Sequence, residues 1–223
     1  MSRLFSLAAP PQQVATVFGA DPALPVSIPG ETIEGDPGVV VIDREGRRLL
    51  KTMTWGFPRH TSESRLRREA PSRLGLVADL TNPMWEHLVV DPRYRCLIPL
   101  THFANPAGKA GAKTRAWFSL VDQPVAAWAG FCRNTPEFGP VFAGMTMTAS
   151  ALVQPFNDRM PVLLAADEYE RWLTGTIQDV IGFQFRDPPP DERLAILHTD
   201  DRWRSGRPPP LPDAARPPMA FAL

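Results

Sequence analysis

A chain of 223 residues, 43% hydrophobic and 22% charged, can bury one ordinary globular core, so one domain with or without a tail is expected. Its 24 basic and 24 acidic side chains cancel, which argues against a strong non-specific polyanion binder but leaves room for a local patch. No run approaches the roughly 18–20 apolar residues of a membrane span, and the opening MSRLFSLAAPPQQ is too short in its apolar run for a secretory signal. The expectation is a cytoplasmic protein with no membrane partner.

In chain order, APPQQVATVFG predicts a short amphipathic helix with Val14, Val17 and Phe18 on one face, ended by Gly19. DPALPVSIPGE is a loop. GVVVIDREGRRLLKTMTWGF predicts a hairpin that turns at Arg44-Glu45-Gly46 and runs into Trp55. Residues 58–75 look polar and irregular. Here Arg65, Arg67, Arg68 and Arg73 form either a solvated face or a rim for a phosphate backbone. Asn82-Pro83 starts a short helix. RCLIPLTHF, RAWFSL, VAAWAGFC, VFAGMTMTA and MPVLL are short apolar runs at hairpin spacing and predict strands. DEYERWL is a helix capped by Asp167, and RLAILHT a last strand. Cys96 and Cys132 lie in apolar runs, which predicts buried free thiols rather than a disulfide framework.

This order predicts an α+β fold: a β-rich single domain with a mixed or antiparallel curved sheet and a few short flanking helices. Proline, at 26 residues, is concentrated late in the chain. A domain over residues 1–204 and a Pro-rich, disordered or polyproline II tail over residues 205–223 are expected. Such a tail offers a site for a protein partner. The chain has no Gly-rich phosphate loop and no G-x-S-x-G. His60, His87, His102 and His198 show no metal spacing, so no metal and no cofactor are expected.

Four segments carry more information: MTWGFP, DLTNPMWEHLVVDPRYRCLIPLTHFA, WFSL followed by AAWAGF, and TMTASALVQPFNDRMPVLL. Their order and spacing resemble the SRAP family, the SOS-response-associated peptidases or abasic-site processing proteins, over roughly residues 1 to 200. The resemblance implies a protein of the DNA-damage response that binds single-stranded DNA at abasic sites. It also implies a cysteine at position 2, whose α-amine and thiol trap the abasic aldehyde as a thiazolidine. An asparagine and an arginine hold sugar and phosphate, and a glutamate and a histidine shuttle protons.

Carried onto this chain, the nucleophile position is Ser2, the asparagine falls on Leu76, the arginine on Ala78, the glutamate on Asn105 and the histidine on Asn157. Frame residues persist, among them Trp55, Gly56, Pro58, Arg95, Pro99, Phe103, Trp117, Gly130, Arg159 and Pro161. An amide hydrogen-bonds but exchanges no proton near neutral pH, and Leu76 and Ala78 offer no polar side chain. The resemblance with these replacements implies a catalytically degenerate pseudo-enzyme with a residual DNA-binding or regulatory role. Trp55, Phe57, Pro58 and Arg159 are the candidates to touch DNA by stacking and phosphate contact. Trp55 is alternatively a core anchor, and Arg159 alternatively pairs with Asp158 or Asp79. A second possibility is Schiff-base lyase chemistry through the α-amine of Ser2. A third is a protein-interaction role for the Pro-rich tail.

Overall fold

The structure is a computed structural model that describes residues 3–22 and 26–212. The chain opens with β1 (Leu4–Ser6), α1 (Pro11–Phe18), β2 (Ala20–Pro22) and β3 (Glu31–Ile33). The hairpin β4 (Pro37–Arg44) and β5 (Arg47–Trp55) follows, then β6 (Phe57–Arg59), α2 (Ser62–Leu66), β7 (Ser72–Leu74) and β8 (Leu76–Val77). A 3-10 turn over Pro83–Trp85 leads into α3 (Glu86–Val90). The central strands are β9 (Arg95–Leu100), β10 (His102–Ala107), β11 (Thr114–Leu120), β12 (Ala126–Thr135) and β13 (Gly139–Thr148). The rest comprises β14 (Arg159–Pro161), β15 (Leu163–Leu164), α4 (Tyr169–Thr174), α5 (Ile177–Phe185) and β16 (Leu194–Arg202).

Among the described residues the strands form two main sheets. One is antiparallel, in the order β16-β11-β10-β1-β3. The other runs β14-β13-β12-β9-β4-β5-β2, with β8 and β15 paired onto β13 and β12. A parallel pairing of Val141 with Thr54 and Phe142 with Trp55 joins β13 back to β5, so β13, β12, β9, β4 and β5 make a closed circuit. Closure removes the unpaired edges that these strands would otherwise expose. It also explains why Val39, Val40, Val41 and Ile42 are all buried, because a strand covered on both faces needs no polar alternation. The β-rich α+β class agrees with the sequence. The predicted turn forms with left-handed Glu45 (φ 56°) and Gly46 (φ 77°), the geometry of a tight two-residue hairpin.

Several expectations are corrected. RCLIPLTHF is not one strand. The chain leaves β9 at Leu100 and enters the other sheet at His102, and Thr101 makes the corner by donating to Ser6 O at 3.1 Å while accepting from Ala8 N at 3.2 Å. Residues 58–75 are not irregular, because they carry β6, α2 and β7. Val17 points outward, 42% exposed, while Val14 and Phe18 fill the core. Asp167 does not cap: Glu168 reaches back to Ala165 N at 2.9 Å. The free thiols Cys96 and Cys132 are buried, as expected, and burial pushes the Cys96 thiol up.

Arg95 pins the helices to the barrel. It is buried, yet Nη1 donates to Trp172 O at 3.3 Å and Gly175 O at 2.6 Å, and Nη2 donates to Val89 O at 3.2 Å. Its guanidinium thus serves the last carbonyls of α4 and α3, which no intrahelical donor reaches. Of the Pro-rich segment, residues 205–212 lie against the domain, with Pro209 buried and Leu211 packed on the core. Residues 213–223 lie outside the described residues.

Candidate functional site

The site is built around the short segment Gly75-Leu76-Val77. Trp55 Nε1 donates to Gly75 O at 2.7 Å, and Glu34 Oε1 accepts from Gly75 N at 2.6 Å. The second oxygen of Glu34 pairs with Arg3 Nη1 at 2.5 Å, so the start of β1 and the wall carrying Leu76 share one carboxylate. A Cβ on residue 75 would sit 2.6 Å from Trp55 Nε1 and 2.8 Å from Glu34 Oε1, so only glycine admits both bonds. The segment then pairs in parallel with β13, Gly144 with Leu76 and Met145 with Val77. Gln184, buried on α5, secures the same wall. Its Oε1 accepts from Leu80 N at 2.8 Å, and its Nε2 donates to Thr146 O at 3.0 Å and Val77 O at 3.4 Å.

The antiparallel sheet carries the next of these positions. Asn105 on β10 shares the inner face with Phe103, two residues earlier, and is fully buried. Its register partner is Ala116 on β11, whose own partner is His198 on β16. The three side chains therefore stand in one row across three strands, about 10 Å from end to end. His198 is exposed at the rim, and the Phe156 ring lies 5.8 Å from it and 5.4 Å from Phe118.

Phe156 precedes Asn157, whose Oδ1 accepts from Arg159 N at 3.1 Å. Arg159 in turn spends Nη2 on Ala78 O at 2.7 Å and Thr146 O at 2.5 Å, and Nε on Thr146 Oγ1 at 3.3 Å. Burial pulls its guanidinium below the usual arginine range, against the attraction of Asp158 and Asp79. Both readings of Arg159 thus meet a third: it chiefly ties β14 to the end of β13 and to Ala78. The positions of Ala78, Asn157 and Arg159 converge through these bonds. Leu76 is half-buried in β8, beside Ala78, and Asn105 is buried in the antiparallel sheet.

The aromatic candidates fare differently. Trp55 is completely buried among Phe5, Trp128 and Phe142, and Phe57 is 2% exposed beside Trp85. Neither offers a face for stacking, which corrects their assignment as contact residues, and Trp55 is the core anchor. Pro58 is half-buried and Ala78 exposed. Arg67 pairs with Glu63 at 2.6 Å on the exposed face of α2, and Arg73 lies over the Phe138 ring at 3.8 Å. Ser2 lies outside the described residues. No cluster of three or more metal-binding side chains occurs among the described residues, and no described helix is long and apolar enough to cross a membrane.

Glu34 and Gln184 were missed by sequence reasoning. The one available signal was Gln184, a lone polar residue between Phe183 and Phe185 in the stretch IQDVIGFQF, which turns inward. Chemically, the described residues here offer the half-buried amide of Asn157, the exposed imidazole of His198 and the half-buried side chains of Leu76 and Phe156.

The model of the SOS response associated peptidase family matches residues 3–200. Among curated proteins nothing matches. A crystal structure of a protein from Bordetella bronchiseptica superposes with a TM-score of 0.72 at 19% identity, covering 88% of this chain and 99% of that one. A protein from Bacteroides thetaiotaomicron gives 0.70 at 15% identity over 87% and 90% of the two chains. A phage-related protein, also from B. bronchiseptica, gives 0.65 at 16% identity over 95% and 100%. These likenesses establish the fold, and the match over residues 3–200 establishes the family: the chain belongs to the SOS response associated peptidases.

Proposed function

We propose that this chain binds single-stranded DNA reversibly, in the DNA-damage response for which its family is named, and has lost the covalent trapping of abasic sites. The observation that supports this is the contrast between frame and chemistry. Trp55, Gly75, Arg95 and Arg159 are bonded into an intact scaffold. The positions matched to the proton-transfer residues are Asn105 and Asn157, and those matched to the sugar and phosphate contacts are Leu76 and Ala78. Amides orient a ligand without moving its protons. A serine hydroxyl at position 2 would close an oxazolidine, a ring that hydrolyses readily, where a thiol closes a durable thiazolidine.

The test is fluorescence anisotropy with a labelled single strand and the matching duplex at low salt. The reading predicts saturable binding to the single strand, a weaker response to the duplex, and full release on dilution or competition. No binding to either strand, or a preference for duplex, would overturn it.

A further inference from the structure

We infer that Phe156 and His198 form a base-stacking platform, so that the ligand at this surface is a nucleotide that still carries its base. The inference rests on the proposed single-strand binding and deepens it. A sheet-borne site for single strands needs aromatic or imidazole faces open to solvent, on which successive bases stack regardless of sequence. The tryptophan and phenylalanine of the W-G-F turn cannot serve, because Trp55 and Phe57 are sealed in the core. Phe156 and His198 can. The rings lie 5.8 Å apart at 45°, Phe156 is propped edge-on by Phe118, and His198 is exposed at the end of the row that begins at Asn105. Phe156 is therefore held by the core through Phe118 and only half-buried, and the exposed imidazole of His198 stands beside it.

The surroundings favour a base over a bare sugar–phosphate. Leu76, half-buried and packed on the core, gives β8 no polar side chain at the position matched to the sugar contact. Arg159, three residues after Phe156, is flanked by Asp158 and Asp79 and already serves Thr146 and Ala78. Such a rim is electrically mixed, so affinity should come more from stacking than from counter-ion release and should fall only shallowly with salt.

The experiment uses the full chain and a fluorescein-labelled oligothymidylate, with His198→Ala, His198→Gln and His198→Phe compared to the wild type. His198 is exposed, so each variant should keep the wild-type melting temperature. Stacking predicts about tenfold weaker binding for H198A and H198Q, and near wild-type affinity for H198F, which restores a ring without an imidazole. A strand lacking one base opposite the platform should bind the wild type weakly and lose nothing further with H198A. If the wild type binds but H198A binds equally well, the platform is wrong while the proposed function stands. If H198Q equals the wild type, or H198F falls to the level of H198A, a hydrogen bond or a charge replaces stacking and the platform is again wrong. If the wild type itself fails to bind, the proposed function falls, and the platform with it.

Discussion

At residue 75 a hydrogen in place of a methyl group decides whether one wall of the cleft can form. Gly75→Ala would drive a Cβ to 2.6 Å from Trp55 Nε1 and 2.8 Å from Glu34 Oε1. Both partners are held by their own packing, so the strain should cost about 1–3 kcal/mol, read as a lower midpoint in urea unfolding. His102 makes a prediction of a different kind. Its Nδ1 sits 3.1 Å from Thr101 Oγ1 and 3.5 Å from Ser6 Oγ, and burial takes its pKa from the ordinary 6.5 down to about 4. The unfolded chain therefore binds a proton on this residue between those values and the folded chain does not. Stability from His102 is complete above about pH 6.5 and is lost progressively as pH falls toward 4, on the order of 3 kcal/mol in all. His102→Gln should remove most of that slope in unfolding measured across this range, and an unchanged slope would contradict the assignment. At this scale the motif neighbours of Asn105 and Asn157 were legible, and the structure puts the two residues in β10 and just ahead of β14. Glu34 and Gln184 were not. Their partners lie 41 and 104 positions away in sequence, and no local pattern encodes a bond of that span.

At the scale of elements, buried Arg95 joins β9 to α3 and α4. Arg95→Met keeps the apolar stem but leaves the carbonyls of Trp172, Gly175 and Val89 without this donor. A loss of about 2–4 kcal/mol is expected, with faster amide exchange in α4 than in β12 as its local signature. Amide exchange that stays uniform would show that the helices do not depend on this guanidinium. The central strands could be read from their apolar runs, because a strand buried on both faces announces itself by composition. The break of RCLIPLTHF at Thr101 could not, since both halves are apolar and the corner is made by hydrogen bonds to Ser6 and Ala8. The short strands β1, β3 and β6 to β8 escaped for a related reason. With three residues or fewer they are too short for a period, and their partners in the sheets define them.

For the molecule as a whole, the closed circuit of β4, β5, β9, β12 and β13 and the antiparallel sheet form the scaffold that carries the candidate positions. Fold and family were legible because frame residues such as Trp55, Arg95 and Pro161 serve packing and bonding, which motif spacing preserves. The orientation of the aromatic side chains was not, since a Trp-Gly turn looks the same whether its ring faces solvent or core. If only the chemistry has been emptied, refilling it should restore it. A variant carrying Ser2→Cys, Leu76→Asn, Ala78→Arg, Asn105→Glu and Asn157→His is expected to crosslink abasic single strands, provided that its circular dichroism matches the wild type. A folded variant that forms no adduct would show that the frame has changed as well.

The most direct measurement remains the wild-type protein, with its initiator methionine removed, incubated with single-stranded DNA carrying one abasic site and run on a denaturing gel with and without borohydride. The account predicts no shifted band without the reductant. A band only with borohydride would show that the α-amine of Ser2 still reaches the aldehyde but closes no durable ring. A shifted band that survives denaturation without reductant would contradict the claim that covalent trapping has been lost.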